Sequence, residues 1–356
     1  MKKKKQVNVT PSGEAEVTQE VAEEVYVPTD DDFTFAENKE INIDKNFAAQ
    51  GYWKGVFRRF FSKKRSVIGL IIVIFIILLA LLGPVISPYG YTEIISAEVD
   101  GKTVTASSIT PRVPWIHRLF TGEEYDDEFA DYVFLFGTDT VGRDLFTRVC
   151  YGARVSLLIA FVTIIIDMLI GMSYGLISGY FGGVTDAIMQ RIVEIVYSVP
   201  KLVIVSVLAL FMEKGIGLVI VALLITEWIG MSKIARAEML QMKEQEFVLA
   251  SRTLGAGSGR IIFKDVLPNT VGPIITQVMF SIPTAIFFEA FLSFVGVGIT
   301  LPQCSIGSLI EDGFDNITTV PHQIIPPVIV LALLMLGFNF IGDGLRQALT
   351  PTTEDA

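Results

Sequence analysis

Residues 66–87 read SVIGLIIVIFIILLALLGPVIS and carry no charge. About 20 apolar residues in a helix cross the hydrocarbon of a bilayer, where every backbone polar group needs an internal partner. This run therefore commits the chain to a membrane and to helical architecture. Pro84 and Pro88 mark its far end. Lys54, Arg58, Arg59, Lys63, Lys64 and Arg65 stand before it, whereas Lys102 is the only Lys or Arg between 88 and 110. By the positive-inside rule the N-terminus lies in the cytoplasm. Tyr52, Trp53, Phe57, Phe60 and Phe61 interleave with the basic residues, so 46–65 reads as an amphipathic segment at the inner interface.

The rest of the chain extends the pattern. Hydrophobic residues make up 51% of 356, more than a soluble domain of this size usually carries. Further spans are expected at 155–178, 190–212, 216–234, 270–293 and 324–342, with Pro200 kinking the third. The fold expected is all-α and polytopic, with six transmembrane helices and both termini cytoplasmic. Residues 1–45 are polar, rich in Asp and Glu, and poor in large aliphatics, so they read as a disordered acidic cytoplasmic tail. Residues 88–150 form an extracytoplasmic loop or cap, acidic at Glu123, Glu124, Asp126, Asp127, Glu128 and Asp131, with short strands near 92–98 and 103–110. Residues 151–346 form the core, with a cytoplasmic loop at 235–269, a short helix near Ser305–Gly313 in an outer loop, and a cytoplasmic tail at 347–356.

The formal charge of −10 is unevenly placed, and no basic surface suggests nucleic acid. Two cysteines, Cys150 and Cys304, and two histidines, His117 and His322, are too few and scattered for a zinc site, and read as unrelated residues. GTDTVGRD at 137–144 has glycines and charges, but without a following Lys-Ser it reads as a hydrogen-bonded turn that orients the second span.

Charges inside spans are costly and face protein or water. Asp167, Glu227 and Glu289 are read as interior-facing, at a translocation path or a subunit interface. Glu194 and Lys201, seven apart on one helical face, either join that path or snorkel to the inner interface.

The cytoplasmic loop RAEMLQMKEQEFVLASRTLGAGSGRIIFKDVLPN, with Arg236, Lys243, Arg252, Arg260 and Lys264 along it and Lys233 at its edge, reads as helix, turn, helix. Gly255 fits the left-handed position after a helix that runs through Leu254. Ser258 is the expected cap of a second short helix that stops before Pro268. Phe247, Val248, Leu254, Ile261, Ile262 and Phe263 are apolar among charged neighbours. They dock into a partner or pack on the chain's own bundle.

This loop resembles the EAA loop of ABC importer permeases. Ala250 matches the first Ala of that motif, Gly255 its Gly, and Leu267-Pro268 its final pair; Leu249 stands where Glu is usual, Ser251 replaces the second Ala, and Asp265 replaces Ile. GTDTVGRDLFTRVCYGARVSL, DAIMQRIVEIVYSVP, FFEAFLSFVGVGI and FNFIGDGLRQALTP extend the resemblance over about 60–350, towards the C-type permease of oligopeptide and dipeptide importers. The resemblance implies a type I (MetI-like) permease core and a bacterial cell membrane location. It also implies an assembly with a second homologous permease, two ATP-binding subunits and an extracytoplasmic peptide-binding protein. Glu246, Phe247, Ala250, Gly255, Arg260, Leu267 and Pro268 would meet an ATPase. The chain has no G-x-x-x-x-G-K-[ST] loop, so it is expected to bind no cofactor, with ATP and Mg held by partner subunits. Nickel or another small solute is the alternative cargo within this family. A membrane receptor or sensor is the alternative of another class, and it leaves 246–269 unexplained. An intramembrane enzyme lacks a metal set, an H-E-x-x-H or a suitably placed G-x-S-x-G.

Overall fold

The computed structural model describes residues 52–99, 102–121, 127–300 and 303–349. The expected tail 1–45, the acidic Glu123, Glu124 and Asp126, and the final residues 350–356 lie outside the described residues.

Helix α1 (Tyr52–Ser62) is amphipathic. Val56 and Phe60 are buried, while Trp53, Phe57 and Phe61 are exposed. Helix α2 (Lys64–Ile86) buries Ser66, Gly69, Val73, Ile76, Ala80 and Gly83, one stripe at alternating spacings of three and four. The opposite face exposes Ile68, Ile71, Phe75, Leu78 and Leu82, which suits lipid and not water.

After α2 come a hairpin, β1 (Ser96–Val99) against β2 (Lys102–Thr105), with Ser96 opposite Thr105, and a short helix α3 (Pro114–Thr121). The hairpin packs through Ala97 and Val104 on a small core of Ile95, Ala106, Phe129 and Phe134. The strands are shorter than the sequence suggested.

Helix α4 (Leu145–Ile166) starts ten residues before the expected second span, because the Asp144 side chain caps it by accepting from Thr147 N at 2.8 Å. It passes through a π-helical turn at Asp167–Gly171 into α5 (Met172–Phe181). The expected third span is not one helix. α6 (Gly183–Ser198) ends before the extended Val199 and Pro200, and α7 (Lys201–Leu208) begins after them. Pro200 lacks an N–H, and it disfavours helical geometry at the residue before it. So it breaks the segment that it was expected to kink, and Glu194 and Lys201 do not share a helical face.

Helices α8 (Ile216–Thr226) and α9 (Trp228–Met242) follow, then α10 (Glu246–Thr253) and α11 (Ser258–Arg260). A second π-helical stretch, Ile261–Val266, leads into α12 (Leu267–Phe294), then α13 (Ile306–Asp315) and α14 (Ile325–Leu349). Ser305 caps α13 in a reciprocal box with Ser308. Among the described residues, five continuous helical stretches are long and apolar enough to cross a membrane: Lys64–Ile86, Leu145–Phe181, Ile216–Met242, Ser258–Phe294 and Pro321–Leu349. The remaining expected crossing is the broken α6–α7 pair.

Close helix contacts rest on glycine. Gly171, Gly175 and Gly179 form a stripe at every fourth residue on the stretch that runs into α5. A Cβ on Gly175 would meet Ser232 O, Ala235 Cβ at 2.8 Å and Arg236 N at 2.9 Å; one on Gly179 would meet Met239 Cβ at 2.8 Å. Such a stripe lets two backbones approach where lipid offers no hydrophobic drive. Gly69 and Gly337 do the same for α2 and α14.

Candidate functional site

The break between α6 and α7 opens a cleft of about 500 Å³ against α9 and α12. Its lining includes Tyr197, Lys201, Glu227, Lys233, Gln277 and Thr284. Because α7 begins at Lys201, the ammonium is projected towards the junction of α8 and α9, where it forms an ion pair with Glu227. It also lies 5.1 Å from the centre of the Phe288 ring. The Glu227 side chain is 6% exposed and that of Lys201 is 39% exposed, so the lysine is the member of the pair open to the cleft. Lys233 stands 4.0 Å above the Tyr197 ring on the same lining.

Asp167 is fully buried in the first π-helical turn, near enough to interact electrostatically with Glu227 and Lys201. Both its carboxylate oxygens are buried without hydrogen-bond geometry; the nearby Ser281 hydroxyl donates to Gln277 O at 3.0 Å instead. Glu289 is elsewhere. It is sealed in the core, accepting from Ser156 Oγ at 3.0 Å and Ser293 Oγ at 2.9 Å, and it lines no part of this cleft. Glu194 is exposed and pairs with Arg191 at 2.6 Å.

The second region is the loop after α9. Helix α10 ends at Thr253, Leu254 follows, and Gly255 takes φ +82°. Ser258 is the first residue of the next helix, and its cap position is held by Gly257 with no side-chain bond. That second helix does not stop before Pro268. Pro268 lies in the first turn of α12, directly after the π-helical stretch, so the loop runs without a break into a span.

The apolar residues of the loop divide. Val248, Ile261, Ile262 and Val266 are buried in the chain's own core with Leu176, Met231 and Met239. Phe247, Leu249, Leu254 and Phe263 are exposed, Leu254 at 87%. Glu246, Ala250, Gly255, Arg260 and Pro268 are exposed as well, and Leu267 packs partly against the core. One face of the hairpin is therefore anchored, and the other is apolar and open.

The anchor continues at its base. The Arg236 guanidinium donates two bonds of 2.6 Å to the carboxylate of Asp186, Lys243 donates to Gly179 O at 3.1 Å, and Arg252 sits 5.6 Å over the Tyr180 ring. A paired, two-bond contact fixes orientation as well as distance. Arg252 thereby links α10 to α5, while Arg236 and Lys243 link α9 and the residue after it to α6 and α5.

At the other end of α4 lies a buried charge cluster. Asp139 accepts from Val141 N at 3.0 Å, Arg143 N at 2.9 Å and Arg143 Nε at 2.7 Å, and from Arg148. Arg148 also reaches Asp312 of α13 at 3.3 Å. Burial alone would raise the Asp139 carboxyl, but the Arg143 N–H and the Arg148 and Arg143 charges hold it below the usual carboxylate range. The GTDTVGRD segment is thus a hydrogen-bonded turn that ties α4 to α13. Cys150 and Cys304 are both free and buried.

Sequence reasoning missed the Gly171/Gly175/Gly179 stripe, whose regular spacing is a usable signal. It also missed the Lys201–Glu227, Asp186–Arg236 and Arg148–Asp139 pairs. Their members lie on different elements or across a turn, and no one-dimensional period links them.

Known proteins match this chain along most of its length. Residues 171–355 match the family described as binding-protein-dependent transport system inner membrane component, and residues 51–102 match the N-terminal TM domain of oligopeptide transport permease C. The chain is 40% identical over 299 residues to the oligopeptide transport system permease protein OppC of Bacillus subtilis, covering 84% of this chain and 89% of that one. It is 39% identical to the dipeptide transport system permease protein DppC of the same organism, covering 87% and 91%. Against OppC of Escherichia coli K12 it is 32% identical, covering 87% and 95%.

Proposed function

The chain belongs to the binding-protein-dependent transport system inner membrane component family, and on that premise we propose that it is one permease subunit of an ATP-driven importer of oligopeptides or dipeptides. It is a multi-pass membrane protein and a transport component. It supplies half of the translocation path, and a second homologous permease supplies the other half. ATP and Mg are held by two partner ATPase subunits. An extracytoplasmic peptide-binding protein delivers the cargo to the outer face, where the β1–β2 cap lies.

The observation that carries this reading is the two-faced hairpin at 246–269. Phe247, Leu249 and Leu254 present apolar surface, while Val248, Ile261 and Ile262 root the same hairpin in the bundle. An exposed apolar surface on a rooted helix is a docking face for a groove in a partner. Closure of the ATPases on ATP displaces α10. The Arg236–Asp186 pair and the continuous run from Ser258 to Phe294 pass that displacement to the spans. Coupling of this kind requires different contacts in the two states, and the rigid turn at Gly255 keeps the hairpin acting as one body.

The test is isolation of the tagged chain under mild solubilisation from cells that express its neighbouring genes. The expected result is retention of a second permease and two ATPases. In a variant with Phe247→Ser, Leu249→Ser and Leu254→Ser, the ATPases are lost while the second permease is kept. A chain that purifies alone, or a triple variant that keeps its ATPases, refutes the reading.

A further inference from the structure

The lining of the cleft at the α6–α7 break carries two cations, Lys201 and Lys233, and one carboxylate, Glu227, while Asp167 lies buried behind them outside the lining. Lys201 is half-buried, and its ion pair with Glu227 does not consume it. An ammonium has three N–H donors. One goes to Glu227, and the Phe288 ring supports the cation from another side, while over a third of the side chain remains open to the cleft. The pair thus holds a cation in a fixed place with donors to spare. The volume, about 500 Å³, lies in the range of small-ligand sites.

We propose that this cleft is a subsite for the terminal carboxylate of a peptide, with Lys201 as the contacting residue, Glu227 as its positioning residue, and Lys233 as the second cation of the lining. The inference rests on the reading of the chain as a peptide-importer permease. The terminal carboxylate is the one anionic group that every free peptide carries whatever its side chains. A site that reads it serves cargo of any sequence. Lysine suits such a role, because its compact charge accepts a carboxylate from many directions, whereas arginine demands a planar approach. A charge-assisted bond in a cleft partly screened from water is stronger than at an open surface. Gln277 and Thr284 on α12 supply further polar lining without adding charge.

The experiment uses the assembled transporter in nanodiscs and thiol labelling at Thr284→Cys. Thr284 is exposed on the cleft lining, and both native cysteines of this chain are buried, so labelling is read on this chain alone after the subunits are separated by electrophoresis. The probes are trialanine and trialanine amide, which differ only at the C-terminus. At ten times its dissociation constant, trialanine should slow maleimide labelling about tenfold, and the amide should leave the rate unchanged. Lys201→Gln combined with Glu227→Gln, which leaves no orphan charge, should abolish protection by trialanine. Equal protection by both peptides, protection by neither, or a thiol that is never labelled because a partner subunit covers it, overturns the proposal. Peptide uptake is measured in parallel on the same complexes reconstituted into closed proteoliposomes. Uptake without differential protection removes the subsite alone. Failure of the unaltered complex to take up peptide removes the functional reading with it.

Discussion

Two glycines in the 246–269 hairpin offer a controlled comparison. Gly255 and Gly257 are both exposed, and a Cβ at either would meet nothing within 4 Å. They differ in backbone: Gly255 has φ +82°, and Gly257 has φ −70°. Gly255→Ala therefore removes no packing and creates no clash. Its whole cost is that of placing an L-residue in the left-handed region, about 1–2 kcal/mol. Gly257→Ala meets no such cost and, by narrowing the unfolded chain, stabilises by about 0.4–1 kcal/mol. A penalty of 1–2 kcal/mol lowers the equilibrium constant for the native turn by a factor of about 5–30. In a rooted hairpin that shift disturbs the angle between α10 and the run into α12. The assay is the number of peptides imported per ATP hydrolysed in proteoliposomes of each complex, with complex yield measured alongside. Gly255→Ala should lower the ratio or the yield, Gly257→Ala should change neither, and Gly255→Asn should fall between them, since Asn tolerates this conformation. Equal impairment by Gly255→Ala and Gly257→Ala would refute the argument from backbone conformation.

Two further outcomes follow from the packing and the charges. Gly175→Ala drives a methyl into the Ser232 carbonyl and Ala235 of α9, backbone and short side chain that cannot swing away, and should cost about 1–3 kcal/mol in chemical denaturation of the purified chain; Gly217→Ala, which meets nothing, should be neutral or gain up to about 1 kcal/mol. Because the folded Asp139 carboxyl is held below the usual range, its stabilisation is fully present above the ordinary Asp pKa and is lost as pH falls through the depressed folded value. Thermal unfolding followed from pH 7 to pH 3 should therefore show an acid-side loss in the unaltered chain that is smaller in Asp139→Asn.

The reach of the sequence differed from element to element. The uncharged run at 66–87 specified α2 almost to the residue, because hydrocarbon admits few alternatives. Gly255 was legible for a similar reason: a helix that must turn sharply calls for a residue without a Cβ. The 190–212 segment was read as one kinked span, since hydropathy is blind to backbone geometry; Val199 and Pro200 split it, and the split opened the cleft. The three intramembrane acids looked alike in one dimension. In three, Glu227 faces a cleft beside Lys201, Asp167 lies buried near them, and Glu289 is sealed among serines of α4 and α12. The loop's apolar residues likewise needed the fold to divide Val248, Ile261 and Ile262 from Phe247 and Leu254.

The most direct test of the account is peptide accumulation in vesicles that contain the reconstituted complex, with ATP enclosed and the cognate binding protein outside. The account predicts accumulation against a gradient that stops when ATP is omitted or when the Phe247→Ser, Leu249→Ser, Leu254→Ser variant replaces the native chain. Accumulation that proceeds at the same rate without ATP, or with that variant in place, would contradict it.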